Sequence, residues 1–337
     1  MYFIGIDVSK AKVDACLIDS TKQIVQQKTI KNTPEQLGRY LRSVRKQLGS
    51  CPVLVCSENT GIYGVPLTKA CVTEAIDLWV EDPFKIKRAT TDLRGKTDQK
   101  DAYRIACYAV RYQDTKRLYK PLSPWAKKVK TLVQAREDLI QQKQALAVRL
   151  KEAKSHDSER YEVLEKAFGP ALIVLEQQIK QSDQEIDQLI KQHEPINTNF
   201  KLLKSIPGVG KQNAVQIILH TDNFTRFTPK QLACQAGVAP FPNQSGKMNK
   251  PDRVSKHANQ TLKRLLHMAA MSAIGAKSDL RDFYIRKVAE GKNKMSVINA
   301  VRNKLIHRMF AVIKRQQPYV LDQKEFLSKQ ENACLQP

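Results

Sequence analysis

Apolar and polar positions along this chain change their rhythm twice. Tyr2 to Val8 is a short apolar run interrupted by Gly5 and Asp7. Lys12 to Ile18 follows at hairpin distance, and Gln23 to Ile30 makes a third strand-like stretch. Thr33-Pro34-Glu35 opens an amphipathic helix through Leu48, with Thr33 as N-cap and Pro34 at the first helical position. Pro52 to Cys56 reads as a buried strand, Val65 to Glu74 as a helix and Asp77 to Val80 as another strand. Strands first and crossover helices later predict an α/β domain built on a mixed sheet.

The rhythm changes at residues 124–193. Glycine nearly vanishes, and Lys, Gln and Glu dominate. Trp125, Val129, Leu132, Leu139, Leu146 and Leu150 follow a 4-3 repeat, with Arg136 and Lys143 at the missing steps. Leu172, Leu175, Ile179, Ile186 and Leu189 follow another, with Ser182 as its gap. Two long helices are predicted, broken near Ser155–Ser158 or at Gly169-Pro170. A coiled-coil hairpin and an ordinary helical bundle fit the pattern about equally.

The third region, 200–315, opens on Ser205-Ile-Pro-Gly-Val-Gly210. Helices are expected over Lys211 to Leu219, Pro229 to Ala236, Asn259 to Ile274 and Met295 to Arg315. A polar loop, FPNQSGKMNKPDRVSKHAN, separates the second and third of these, and the chain from Gln316 is expected to be loosely ordered. There is no internal repeat. The expected divisions are 1–120, 121–198, 199–320 and a tail at 321–337. The fold class is α/β plus all-α.

Charge narrows the partners. The chain has 57 Lys and Arg against 33 Asp and Glu, a formal net charge of +24. Such an excess speaks about partners, not fold, and phosphate backbones fit it best because each neutralised phosphate releases a counterion. The seven cysteines are scattered, form no CxxC pair and are odd in number, so neither a disulfide framework nor a structural zinc site is expected. No apolar stretch approaches the roughly 18 residues of a membrane span, and MYFIGIDVSK lacks the features of a signal peptide. The expected compartment is a bacterial cytoplasm, in association with the nucleoid.

The chemistry concentrates in four acids. Asp7 sits inside an apolar strand, where a carboxylate is costly unless paired, protonated or metal-bound. Glu58 stands just beyond the PVLVC strand. Asp98 and Asp101 are three positions apart, on one face if they begin a helix. Four carboxylates meeting at one sheet edge would make a hard oxygen site for Mg²⁺ or Mn²⁺. Two such ions can clamp the attacking and leaving oxygens of a phosphodiester. Taken singly, Glu58, Asp98 and Asp101 read better as a loop acid, a helix cap and an exposed helix residue than as catalytic groups, and no spacing rule brings the four acids together.

GIDVSK at 5–10, SENTGIYG at 57–64 and DLRGKTDQKDAYRIA at 92–106 resemble the N-terminal domain of the DEDD transposases of the IS110 insertion-sequence group. That domain is similar to the Holliday-junction nuclease RuvC and has an RNase H-like fold. Motif by motif, the resemblance puts the four family acids on Asp7, Glu58, Asp98 and Asp101. Residues 203–275 resemble the family's C-terminal transposase domain, whose serine nucleophile falls on Ser245, with Ser255 as fallback. The family often has two serines before the glycine, whereas Gln244-Ser245 stands here. His257 is within loop reach of Ser245. The resemblance implies cutting and rejoining of donor and target DNA through a phosphoserine link, a structured guide RNA, and a homodimer that pairs into a tetramer.

IPGVG opening a helix resembles one helix-hairpin-helix element, whose backbone N–H groups can hold a phosphate. A plain tight turn fits it nearly as well. Lys10, Arg94, Lys96, Lys211, Lys247, Arg253, Lys256, Lys263 and Arg264 are the candidate nucleic-acid contacts. Three other functions compete: a hydrolytic RuvC-like junction endonuclease, a non-catalytic nucleic-acid-binding protein, and an actin-like sugar kinase. The kinase would need further glycine-rich phosphate loops, and the 13 glycines form no such pattern.

Overall fold

The computed structural model describes residues 1–89, 97–245, 248–255 and 258–320. They form two compact units, Met1–Ser123 and the chain from Pro124 onward.

The first unit begins with β1 (Tyr2–Val8), β2 (Lys12–Ile18), β3 (Ile24–Lys31), α1 (Pro34–Leu48), β4 (Val53–Glu58), α2 (Val65–Thr73) and β5 (Asp77–Glu81). It continues with α3 (Pro83–Ala89) and α4 (Asp98–Arg111). The five strands form one sheet in the order β3-β2-β1-β4-β5. β1, β2 and β3 pair antiparallel, whereas β4 joins β1 and β5 joins β4 in parallel. This strand order is RNase H-like, and the mixed sheet agrees with the alternation of apolar runs.

Strand alternation divides the core between the two sheet faces. Ile4, Ile6, Val13, Leu17 and Val55 pack with Leu37, Leu41 and Leu67 from α1 and α2. Phe3, Cys16, Ile18, Leu54, Cys56 and Trp79 pack with Ala102, Ile105, Ala106 and Ala109 of α4. α1 starts as its sequence predicts, with the Thr33 side chain accepting from the Gln36 amide and Pro34 in the first turn.

The second unit begins with α5 (Pro124–His156) and α6 (Ser158–Lys191). The break between them is at Asp157, which caps α6 by accepting from the Arg160 amide. Gly169-Pro170 lies inside α6. The pair is clasped by Arg136–Asp183, Lys128–Glu185 and Lys143–Glu176. Its base buries Val129, Val133, Ile186 and Ile190, whereas Val148, Val163, Ile173 and Val174 lie exposed further out.

Beyond it come α7 (Glu194–Lys204), α8 (Lys211–Thr221), α9 (Pro229–Gln235), β6 (Pro240–Ser245), β7 (Met248–Val254), α10 (Gln260–Gly275), α11 (Asp279–Ala289) and α12 (Lys294–Arg315). Their shared core includes Leu203, Ile218, Leu232, Leu266, Ala270, Val301 and Leu305. Gly208, with a positive φ of 87°, lets the IPGVG turn press on α10. A Cβ there would stand 2.4 Å from the Ala269 carbonyl oxygen.

Three expectations change. The polar loop is in large part a two-stranded antiparallel ribbon, with Pro240 opposite Val254 and Ser245 opposite Met248. Its polar residues carry no period-two apolar signal, so the pattern could not announce strands. α11 is an additional helix, with Leu280 buried and Phe283 and Tyr284, three and four positions on, packed on the same core. The chain from Gln316 to Val320 is anchored, not loose: Gln316 Nε2 donates to Asn199 Oδ1 at 3.1 Å, and the Tyr319 amide donates to Ser205 Oγ at 2.7 Å. The tail at 321–337 lies outside the described residues.

Candidate active site

Asp7 sits one residue past the Ile6–Ser57 pair of the parallel β1–β4 ladder. Glu58, one residue past Ser57, therefore stands beside it at the carboxyl ends of both strands. Alternation from Phe3 and Gly5, and from Leu54 and Cys56, puts both acids on the face that α4 covers.

Gly5 brings α4 over them. A Cβ on Gly5 would lie 2.1 Å from the Ala102 carbonyl oxygen and 2.3 Å from the Ala106 amide nitrogen. Because glycine has no Cβ, the helix backbone packs directly on β1. The Thr97 side chain accepts from the Lys100 amide and starts α4, leaving Asp98 and Asp101 in its first turn. Acids are favoured there by the helix dipole.

A fifth carboxylate joins them. Asp14 pairs directly with Asp7 across the β1–β2 ladder and is only 4% exposed. Thr29 Oγ1 donates to Asp14 Oδ1. Lys12 Nζ lies 3.3 Å from Asp14 Oδ2 and 2.9 Å from Asp98 Oδ2. Arg104 donates to Asp101 Oδ1 at 2.6 Å. The sequence reading missed Asp14, although the argument that exposed Asp7, an acid in an apolar strand, applies equally to KVDACLI.

Burial pushes the Asp7 pKa up, and the charges of Asp101, Asp98 and Asp14 push it further. Glu58 is raised by burial, then by Asp7, Asp101 and Asp82. Asp7, Glu58, Asp98 and Asp101 thus share one electrostatic neighbourhood that favours added positive charge. Their oxygens suit a hard divalent ion. Among the described residues, no group of three or more His, Cys, Asp or Glu stands at metal-ligand spacing. The donor set fits such an ion in kind and in charge, with side chains wider apart than the ligands of one ion.

The remaining candidates are dispersed. Lys10 is exposed just after β1. Arg94, Lys96, Lys247, Lys256 and His257 lie outside the described residues. Ser245 ends β6, Arg253 lies on β7, and Ser255 follows β7 as a half-buried residue. Lys263 and Arg264 occupy the first turns of α10. Lys211 Nζ donates to Asp187 Oδ2 at 2.8 Å and to the Asp183 carbonyl oxygen at 3.1 Å, anchoring the start of α8 to α6. Among the described residues, no helix is long and apolar enough to cross a membrane.

Two family models match the chain in tandem. A transposase model of the DEDD, IS110 type covers residues 4–153, and the model for transposases of the IS116/IS110/IS902 family covers residues 200–285. The pilin gene-inverting protein of Moraxella lacunata is 27% identical over 94% of this chain and 97% of its own length. The insertion element IS110 uncharacterized 43.6 kDa protein of Streptomyces coelicolor is 26% identical over 44% of this chain and 36% of its own length. RuvC from T. thermophilus in complex with a Holliday junction substrate aligns with 35% of this chain and 99% of its own, at a TM-score of 0.29 and 15% identity. The two family matches run in chain order and together take in more than two thirds of the sequence, from the strand bearing Asp7 to the helices beyond Ser245. The chain belongs to the IS116/IS110/IS902 family of transposases.

Proposed function

We propose that this transposase cuts and rejoins donor and target DNA through a covalent phosphoserine, with Ser245 as nucleophile and Asp7, Glu58, Asp98 and Asp101 as the ligands of Mg²⁺ or Mn²⁺. The observation that carries the reading is the carboxylate neighbourhood at the ends of β1 and β4 under α4. Mutually repelling, partly buried acids favour a divalent cation and the phosphate it brings.

The hydroxyl of Ser245 attacks phosphorus, the bond from phosphorus to one sugar oxygen breaks, and the serine proton leaves with that oxygen. Attack by a hydroxyl on the new strand reverses these changes, so no ATP is consumed. When bound, the divalent ion supplies Lewis-acid polarisation of the scissile phosphate. Lys12 and Arg104 steady Asp98 and Asp101. The basic residues Lys10, Arg94, Lys96, Lys247, Arg253, Lys256, Lys263 and Arg264 are proposed to receive nucleic-acid phosphates, whereas the Lys211 ammonium is taken up by Asp187 and Asp183. The family resemblance supports a structured guide RNA. The name of the Moraxella relative fits rejoining as well as cutting, since an inversion requires both.

Assembly through the α5–α6 hairpin belongs to the same reading. Val163 and Val174 are 67% and 54% exposed and lie on one face of α6. A second copy of the chain covering this face would build the dimer that pairs into a tetramer. The protein is proposed to work in the cytoplasm at the nucleoid.

The test incubates the chain with Mg²⁺, a DNA spanning the element junction and co-transcribed RNA, then denatures and looks for protein-linked DNA. An adduct lost in Ser245→Ala is the expected result. Efficient cutting by Ser245→Ala without an adduct would establish the hydrolytic endonuclease instead. Retained activity in Asp7→Ala would remove the metal assignment.

A further inference from the structure

Arg302, on α12, is only 6% exposed. Its Nη2 donates to His267 Nδ1, on α10, at 2.6 Å. Its Nε is buried with no hydrogen-bond partner. Among the described residues no carboxylate lies within ion-pair distance of it. Other half-buried arginines here are compensated: Arg104 by Asp101, Arg136 by Asp183 and Arg308 by Asp279. A buried charge without a counter-charge is among the costliest features a core can hold, so Arg302 calls for an anion from outside the described fold.

The pair also sets the chemistry of His267. A guanidinium only donates, so Nδ1 must accept, and the ring is neutral with its proton on Nε2. Burial and the neighbouring Arg302 push the His267 pKa down, which keeps it so. His267 is half-buried, whereas Arg302 is deep. Lys263 and Arg264 lie four and three positions earlier on α10, beside His267 on the helix surface. Among the described residues neither has an acidic partner.

We propose that His267 and Arg302, with Lys263 and Arg264, form a seat for a backbone phosphate of nucleic acid. His267 Nε2–H donates to the phosphate oxygen, and the buried guanidinium supplies the charge. A buried cation behind a neutral N–H donor gives the site the net positive charge that a phosphate oxyanion needs. The proposal rests on the reading that this chain handles nucleic acid, and it adds two residues that reading does not contain.

The test uses the full chain, a fluorescein-labelled duplex DNA of unrelated sequence and, in a second arm, a labelled RNA hairpin. Binding is followed by anisotropy across a salt series, at a temperature where every variant is folded by circular dichroism. Arg302→Met removes the uncompensated cation and keeps the apolar volume, so its Tm is expected to hold or rise. Its affinity should fall about tenfold at low salt, and the slope of log K against log salt should shrink by about one. Arg302→Lys keeps the charge and should keep the slope, which preserves the test if the Met variant folds poorly. His267→Ala should lose affinity with the slope unchanged, because the donor it removes is neutral. Equal loss in both arms marks a backbone phosphate common to DNA and RNA, and loss in one arm names the source. Unchanged affinity and slope in Arg302→Met overturn the proposal. A wild-type chain that binds neither probe overturns the nucleic-acid reading itself.

Discussion

Lys12 Nζ lies 2.9 Å from Asp98 Oδ2, tying β2 to the first turn of α4 across 86 positions of sequence. The same ammonium stands 3.3 Å from Asp14 Oδ2. In the proposed metal site, a cation built into the chain therefore competes with the divalent ion for Asp98. Lys12→Met should tighten Mn²⁺ binding several-fold, as read by paramagnetic resonance of the free ion during titration. Equal or weaker binding in the variant would show that Lys12 and the metal do not share Asp98.

The acids also predict a pH dependence. Asp7 and Glu58 have folded-state pKa values above the ordinary carboxylate range. The folded chain then holds protons that the unfolded chain has released. This contribution to stability is present in full below the ordinary range and is lost as pH rises through the raised values. Charged Asp7 thus opposes folding near neutrality when divalent ions are chelated. Asp7→Asn should raise Tm by a few degrees at neutral pH in chelator, and the gain should vanish in acid. A gain of the same size at every pH would rule out this electrostatic account.

Two glycines should respond in opposite senses. Gly5→Ala would set a methyl 2.1 Å from the Ala102 carbonyl oxygen, a backbone atom that cannot turn aside. Overpacking of this kind costs about 3 kcal/mol or more, and it would lift α4 and its acids from the strand ends. Gly275 closes α10 with nothing within 4 Å of its would-be Cβ, and Ala276 follows it. Gly275→Ala should stabilise by about 0.5–1 kcal/mol through helix propensity. Chemical denaturation of the two variants checks both signs.

The exposed valines of α6 predict the assembly state. Val163→Glu with Val174→Glu should turn the proposed dimer into a monomer in analytical ultracentrifugation, with a circular-dichroism spectrum like wild type because neither side chain is in the core. An unchanged sedimentation coefficient would remove this face of α6 from the proposed interface.

Much of the fold was legible in advance, because periodicity encodes which face of an element is buried. β1, β2, β4 and β5, the cap at Thr33 and the two long helices all follow from local pattern. The ribbon of β6 and β7 was not legible, since its polar residues have no apolar face to betray a strand. α11 was legible and was overlooked: Leu280, Phe283, Tyr284 and Val288 follow helical spacing, and the first three pack on one core. Of the acidic neighbourhood, Asp7 stood out in its apolar run, whereas Glu58, Asp98 and Asp101 needed the family motifs. Asp14 was readable by the same rule as Asp7 and was overlooked.

Sequence alone determined the residue types, the order of the elements and the excess of positive charge, because these are properties of short stretches or of simple counting. Tertiary structure decided which charges meet. It set Asp14 opposite Asp7, brought Lys12 to Asp98, and laid α4 on β1 at the one residue without a Cβ. It also gave Arg302 a histidine instead of a carboxylate. Hydrophobic burial is read from the rhythm of a single segment. The partner of a charge depends on distances between segments far apart in the chain, and local rhythm does not carry that information.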